Sequence, residues 1–136
     1  LTCGTLDGAN IEMSEEVGIE NFYIFGHTVD TLQKLQAEGY NPAAIAQRHD
    51  LSEIFELFEI LGSDFREFTD ALTYQGDPYF HLADFDSYIE VQNKIMADYL
   101  NRDVWVRKEI LNTAHSGKFS ADRTIYEYAH DIWKIV

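Results

Sequence analysis

Residues 1–26 read LTCGTLDGANIEMSEEVGIENFYIFG, and this stretch decides the fold class. Residues 1–6 form a short apolar run rich in threonine, which predicts a buried strand. Residues 11–17 predict a short helix that ends at Gly18. The continuous aromatic and β-branched run over residues 21–26 predicts a second strand, covered on both faces. The order strand, helix, strand is typical of a parallel α/β sheet.

A second helix follows this strand, with Thr28 as its expected N-cap and Gly39 at its end. Residues 1–39 are therefore predicted to form a βαβα segment. In residues 40–136 the sequence contains helix signals and no further strand signal. We thus expect an α/β fold in which two short parallel strands are followed by mostly helices, with no repeat and no flexible linker.

Polar residues mark the expected helix starts in residues 40–136. Asn41 before a proline predicts one N-cap, and Asp50 heads a pattern that resembles a capping box. A turn is expected at residues 76–78 and a further helix at about residues 102–115. The other expected caps are Ser63, Asp84 or Asp86, and Ser120. The helix expected after Asp50 should point one apolar face into the core, formed by Leu51, Ile54, Phe55, Phe58 and Leu61.

The composition limits the classes of protein to consider. The chain has 136 residues, 46% hydrophobic and 14% aromatic, which supports one domain with a core and argues against disorder. A net charge of −14 disfavours nucleic acid and anionic membranes as partners. No apolar run approaches the roughly 18 residues of a membrane span. The single cysteine, Cys3, is expected to be inert core in a reducing compartment.

The charge is unevenly distributed along the chain. Residues 1–98 hold 4 Lys/Arg and 19 Asp/Glu, whereas residues 99–136 hold 6 and 5. A solvated acidic face explains this distribution, and packing of the near-neutral tail against another element is the alternative. The chain opens inside an expected strand without an initiator methionine, which suggests a fragment of a longer protein.

The segment Asp7-Gly8-Ala9-Asn10 comes directly after the first strand. Ligands of parallel α/β sheets bind beyond the carboxyl ends of the strands, and Gly8 allows a tight turn there. The segment therefore predicts a position near a site, with simple capping by Asp7 and Asn10 as the alternative. A calcium loop is not predicted, because the required acidic spacing is absent.

Other polar groups point to structure more than to chemistry. The Asp84 and Asp86 pair could hold Mg²⁺, but no buried strand precedes it, and helix capping explains it better. Nothing in the sequence sets a triad geometry for His115, Ser116 and Asp122. Residues 118–123 predict a helix start with a cap and a salt bridge, with an anion or partner contact as the alternative. No metal site is predicted.

Several motifs, in order along the chain, resemble the α-glucan phosphorylases, the family of the glycogen and maltodextrin phosphorylases. Residues 1–13 resemble one of its segments closely, and residues 20–26 look like the next strand. The later helices and the tail carry the remaining motifs: 83–85 with Tyr88, 105–107, 110–114, 117–125, Tyr128 and 132–133.

This resemblance implies an enzyme with two Rossmann-like lobes. Such an enzyme transfers a terminal glucosyl unit from an α-1,4-glucan to inorganic phosphate, giving α-glucose 1-phosphate. Residues 1–136 would be the C-terminal portion of the lobe that holds pyridoxal 5'-phosphate on a lysine. The tail from Lys118 on would cross back toward the other lobe. The resemblance also implies a cytoplasmic homodimer whose partners are the glucan, phosphate and the rest of the chain.

The resemblance transfers no catalytic and no cofactor-binding residue to this chain. No bound cofactor is expected on this chain alone, because none of its lysines matches a cofactor position of the family. These lysines are Lys34, Lys94, Lys108, Lys118 and Lys134. Four residues are expected to support the cofactor segment without touching the reacting atoms: Thr5, Asp7, Gly8 and Asn10. The alternative function is a stand-alone helical interaction module without activity. Preference for glycogen or maltodextrin stays open.

Overall fold

The computed structural model of the chain describes residues 1–135, except for the side chains of His49 and Ser63. The elements follow in this order: β1 Cys3–Thr5, α1 Ala9–Val17, β2 Tyr23–Phe25, α2 Val29–Ala37, α3 Pro42–Ala46, α4 His49–Leu61, α5 Arg66–Leu72, α6 His81–Leu100, α7 Arg102–Ala114 and α8 Ala121–Glu127. The chain divides into two compact units, one of residues 1–24 with the chain from Gln92 on, the other of residues 25–91.

The two strands pair as a parallel two-stranded sheet, which confirms the α/β class. Both are shorter than the sequence predicts. A 3₁₀ turn at Ile19–Asn21 occupies the start of the expected second strand. The expectation of a buried first strand is wrong, because β1 is only half-buried and the flanking Leu1 and Leu6 are exposed.

Three of the expected helix caps are confirmed. The side-chain oxygens of Thr28, Asn41 and Ser120 each accept a hydrogen bond from the backbone N–H three residues later. The helix ends expected at glycines are also confirmed, with positive φ at each: Gly18, Gly39 and Gly62. The expected cap at Ser63 lies outside the described side chains.

The caps expected at Asp50, Asp84 and Asp86 are wrong. The helix α4 begins at His49, so Asp50 lies inside its first turn. The helix α6 begins at His81, and its first N–H groups bond to the fully buried carboxylate of Asp77 in the preceding turn. Asp84 and Asp86 are therefore already inside α6, where their side chains bind other groups.

Each unit has its own buried side chains. In the first unit these are Val17, Phe22, Tyr23 and Ala129. In the second, Ala46, Leu51 and Leu82 form a core against which Phe55 and Phe85 pack. The expected inward face of α4 is only partly correct, because Ile54 and Leu61 are exposed.

Candidate functional site

The turn between β1 and α1, residues 5–10, contains all four of the predicted supporting residues. Gly8 has φ 47° and ψ −134°, a conformation that side chains rarely adopt, and α1 begins immediately after it. The backbone N–H of Asp7 donates to the carbonyl of Thr5 at 2.9 Å, and that of Asn10 donates to the carbonyl of Asp7 at 3.0 Å. The turn therefore follows the carboxyl end of β1 as predicted.

The side chain of Asn10 closes this turn. Its Nδ2 donates to the carbonyl oxygen of Thr5 at 2.8 Å. A Cβ atom on Gly4 would lie 2.6 Å from the same Nδ2, so a larger residue at that position would have to displace the Asn10 amide. The alternative in which Asp7 and Asn10 cap α1 is not supported, because the helix has no side-chain cap and Asn10 donates backwards to the strand.

Asp7 and Gly8 lie on the exposed side of the turn. The structure thus brings Thr5 and Asn10 together through a hydrogen bond, whereas Asp7 is exposed to solvent in the same turn. A carboxylate in this position can accept hydrogen bonds from a ligand or from another segment of protein. This is the chemistry that the turn offers.

A cluster of three buried or half-buried groups anchors β2 in the first unit. Tyr23 donates its hydroxyl proton to Asp98 at 2.8 Å, and Lys108 pairs with the same carboxylate at 2.9 Å. The Lys108 ammonium also lies 4.4 Å from the centre of the Tyr23 ring. The hydrogen bonds from Lys108 and then Tyr23 hold the pKa of Asp98 below its usual range. Burial, reinforced by Asp98, raises the pKa of the Tyr23 phenol.

The two aspartates in the first half of α6, Asp84 and Asp86, bind groups of the second unit. Asp84 accepts from the backbone N–H of His27 and contacts the Nδ1 atom of the same residue, both at 2.8 Å. Arg48 forms two hydrogen bonds to Asp86, of 2.7 and 2.8 Å, which lower the pKa of that carboxyl. Among the side chains that the structure describes, no group of three or more His, Cys, Asp or Glu is arranged to hold a metal ion.

The start of α8 is built as a cap with salt bridges, as predicted. Ser120 caps the helix, Arg123 pairs with Glu127 at 2.6 Å, and Lys118 pairs with Glu16 of α1. The pair lowers the pKa of Glu16 and raises that of Lys118. No triad forms near this point, since the side chains of His115 and Ser116 each bond to a backbone carbonyl of α7.

Cys3 is half-buried in β1, where Gln92 approaches its sulfur at 3.8 Å. Burial raises the pKa of its thiol, so the thiolate that reacts with electrophiles is disfavoured. The expected core position of Cys3 is wrong, because the residue is only half-buried, and its inertness stays a prediction.

Local sequence patterns do not reveal the residues that bond over long separations in the chain. Asp77 and the Tyr23–Asp98–Lys108 cluster each depend on a distant partner, because Tyr40 lies 37 residues from Asp77 and Tyr23 lies 75 residues from Asp98. Gly4 was also missed, although a glycine inside a strand often marks a close backbone approach.

Comparisons with known proteins agree with one another. A sequence model of the family described as carbohydrate phosphorylase matches residues 1–135. The glycogen phosphorylase of Synechocystis sp. is 44% identical over 144 aligned positions, covering 99% of this chain and 17% of that protein. The muscle-form glycogen phosphorylase of Homo sapiens is 42% identical with the same coverage. The glycogen phosphorylase of Bacillus subtilis is 42% identical over 99% of this chain and 18% of its own length. The chain thus spans less than a fifth of each relative.

Within the described residues 1–135, no helix combines the length and the apolar character needed to cross a membrane.

Proposed function

The chain belongs to the carbohydrate phosphorylase family, and from this premise we propose that it forms part of a glycogen phosphorylase. The proposed reaction transfers the terminal glucosyl unit of an α-1,4-glucan to inorganic phosphate and releases α-glucose 1-phosphate. One observation carries the proposal: glycogen phosphorylases from a cyanobacterium, a mammal and a bacillus each align with 99% of this chain at 42–44% identity.

We place residues 1–136 in the C-terminal portion of the cofactor-binding lobe, with 1–39 as its βαβα segment and 40–136 as its helical segment. The motif order described above supports this placement. We further propose that the whole enzyme is a cytoplasmic homodimer. In that setting the partners of this chain are the rest of the phosphorylase chain, the glucan and phosphate.

The lysines described here do not fit the role of a pyridoxal phosphate Schiff base. That role needs an amine that is free to bond to the cofactor, whereas the Lys108 nitrogen is engaged by Asp98 and that of Lys118 by Glu16. The other three lysines are exposed: Lys34, Lys94 and Lys134. We therefore assign no cofactor contact to this chain and derive no catalytic step from it.

The contribution that we propose for the β1–α1 turn is positional. Gly8 and the Asn10–Thr5 hydrogen bond fix the backbone at the carboxyl end of β1, and Asp7 is exposed in the same turn. In a parallel α/β sheet this end of a strand faces the ligand. Asp7 would then orient a neighbouring segment of the site through its carboxylate.

The activity test compares two purified proteins, the isolated chain and the whole phosphorylase that carries it. Each is incubated with maltoheptaose and inorganic phosphate, and glucose 1-phosphate is measured. We expect product from the whole enzyme and none from the isolated chain. Product from the chain alone would overturn its proposed role as a part of the enzyme, and no product from the whole enzyme would overturn the proposed reaction.

The positional role of Asp7 is tested in the whole enzyme with Asp7→Ala and Asp7→Asn. We expect the alanine variant to lower kcat at least tenfold while Tm stays within about 2 °C, and the asparagine variant to recover part of the rate. The control is Asp30→Ala, an exposed carboxylate in the first turn of α2. An unchanged kcat with a lowered Tm would assign Asp7 a structural role only.

A further inference from the structure

The β1–α1 turn contains the one Asp-Gly pair of the sequence, Asp7 and Gly8. In such a pair, the backbone nitrogen of the glycine can attack the side-chain carboxyl carbon of the aspartate, because glycine has no Cβ that shields its nitrogen. The reaction takes place within the chain. It therefore requires no second protein and no active site, only that neither the carboxyl group nor the nitrogen is held in place.

Neither reacting group is held in this structure. Among the residues that the structure describes, none accepts a hydrogen bond from the backbone N–H of Gly8, and none donates to the Asp7 carboxylate. Both residues are exposed, and a Cβ atom on Gly8 would meet no atom within 4 Å beyond its chain neighbours. The turn thus leaves room for a ring to close between residues 7 and 8.

Asp86 and Ser87 provide an internal comparison, because a small residue again follows an exposed aspartate. Here both reacting groups are held. Arg48 donates two hydrogen bonds to the Asp86 carboxylate, of 2.7 and 2.8 Å. Ser87 lies inside α6, where its backbone N–H belongs to the hydrogen-bond ladder of the helix. Both aspartates are exposed, so the two pairs differ in whether their reacting groups are held.

We propose that Asp7 is a site of spontaneous isoaspartate formation. The Gly8 nitrogen bonds to the Cγ atom of Asp7, the proton of that nitrogen and a carboxyl hydroxyl leave as water, and a five-membered succinimide ring results. Water then adds to the main-chain carbonyl carbon of Asp7 and breaks its bond to the Gly8 nitrogen. The reaction releases one water and takes up another. It does not depend on the phosphorylase reaction.

Isoaspartate would open the turn. The main chain would run through Cβ and Cγ of residue 7 and gain one atom. The Asp7 carbonyl oxygen, which accepts from the backbone N–H of Asn10 at 3.0 Å, would become part of a free carboxylate. Asn10 would then no longer be held where its side chain donates to Thr5. Methyltransferases that recognise L-isoaspartate methylate this free carboxylate, so the methyl group reports the modification.

The test uses the whole phosphorylase that carries this chain, incubated at 37 °C and pH 6 in native buffer and, in parallel, in urea. Samples taken over several weeks are methylated by an L-isoaspartyl methyltransferase with labelled S-adenosylmethionine. Proteolysis and mass spectrometry then assign the label to residue 7 or residue 86. We expect residue 7 of the native enzyme to react at no less than a tenth of its rate in urea. Residue 86 should react in urea and at less than a hundredth of that rate in the native enzyme.

The variant Asp7→Glu keeps a carboxylate but would have to close a six-membered ring, which forms much more slowly than a succinimide. We expect the label at residue 7 to disappear in this variant. The matched control is Asp30→Glu, at an exposed aspartate in the first turn of α2, and the label at residue 7 should be unchanged in it.

Three results would overturn the proposal. A native rate at residue 7 below a tenth of the rate in urea would show that another segment of the enzyme holds the Asp7 carboxylate or the Gly8 nitrogen. Equal native rates at residues 7 and 86 would show that the hydrogen bonds to Asp86 and the helix around it do not govern the reaction. Label that persists on the peptide of residues 1–13 in Asp7→Glu would place the modification elsewhere. None of these results bears on the release of glucose 1-phosphate, which is assayed separately.

Discussion

A single glycine sets the packing at the predicted site. Gly4 leaves room for the Asn10 side chain, whose amide donates to the carbonyl of Thr5. We predict that Gly4→Ala displaces this amide and destabilises the fold by about 1 kcal/mol, the typical contribution of one such hydrogen bond. The free energy of unfolding, from denaturant titration, measures the effect.

Two further variants make the Gly4 prediction specific. Gly117→Ala adds the same methyl group where no atom lies within 4 Å, so it should be neutral. Asn10→Ala should cost about as much as Gly4→Ala, and the double variant should cost no more than either, because both remove the same bond. Additive losses in the double variant would contradict the explanation.

Asp98 makes stability depend on pH. Lys108 and Tyr23 lower its pKa in the folded state relative to the unfolded chain. A lowered folded pKa stabilises the fold above the unfolded pKa of about 3.9, and this contribution is lost as the pH falls through the folded value. We predict that Asp98→Asn destabilises the chain at pH 7 and that the difference from the wild type shrinks below about pH 4.

The unfolding free energy measured between pH 7 and 2.5 tests the Asp98 prediction. Asp64→Asn, which replaces an exposed carboxylate, is the control and should follow the wild-type curve. A constant difference between Asp98→Asn and the wild type at all these values of pH would show that the cluster does not act through this carboxylate.

At the scale of the element, one buried carboxylate starts the longest helix. Asp77 accepts from the backbone N–H groups of His81 and Leu82 and from the hydroxyl of Tyr40 at 2.7 Å. Asp77→Ala would leave three donors without this acceptor. We predict a loss of about 2–3 kcal/mol, measured by thermal and denaturant unfolding.

The replacement Asp77→Asn separates the cap from other effects of the Asp77 substitution. Asparagine keeps a carbonyl acceptor and tolerates the positive φ of 47° at this position, so we expect it to cost less than alanine. Asp30→Ala, on an exposed first turn, should stay within about 0.5 kcal/mol of the wild type. Equal losses for alanine and asparagine would contradict a capping role.

The caps show which elements the sequence could predict. Thr28, Asn41 and Ser120 bond to an N–H three residues later, so a short window of sequence contains the whole interaction. Asp77 lies four residues before α6 in a left-handed conformation and accepts a hydrogen bond from the hydroxyl of Tyr40, which lies 37 residues away. No local pattern contains that contact, so the start of α6 was misplaced.

The same limit applies to the candidate site. The position of residues 5–10 after a strand followed from the order of the elements. The order of the elements does not predict the hydrogen bond between Asn10 and Thr5, because an asparagine at this position can equally well cap α1. The predicted first strand is longer than β1, because apolar residues extend from Leu1 to Leu6 whereas the pairing of the backbone with β2 is limited to Cys3–Thr5.

At the scale of the whole molecule, the negative charge opposes association between two copies, whereas the open edge of the sheet favours it. Residues 1–98 carry 19 acidic and 4 basic side chains, so two copies repel at low salt. Within the described residues, the sheet has two strands, and each leaves one edge without a neighbouring strand. Neither Lys nor Pro occurs in residues 1–6 to protect that edge of β1.

We predict that the isolated chain self-associates through β1 and that association increases with salt, because screening shortens the repulsion to roughly 8–10 Å at physiological ionic strength. Light scattering at 20 and 300 mM salt measures the effect. Thr2→Lys places a charge beside β1 and should reduce association, whereas Leu57→Ala/Ile60→Ala on α4 should leave it unchanged. A chain that stays monomeric at both salt concentrations, with β1 amides protected from hydrogen exchange, would refute the exposed-edge argument, because a stably folded β1 would then be shielded by something other than a second copy.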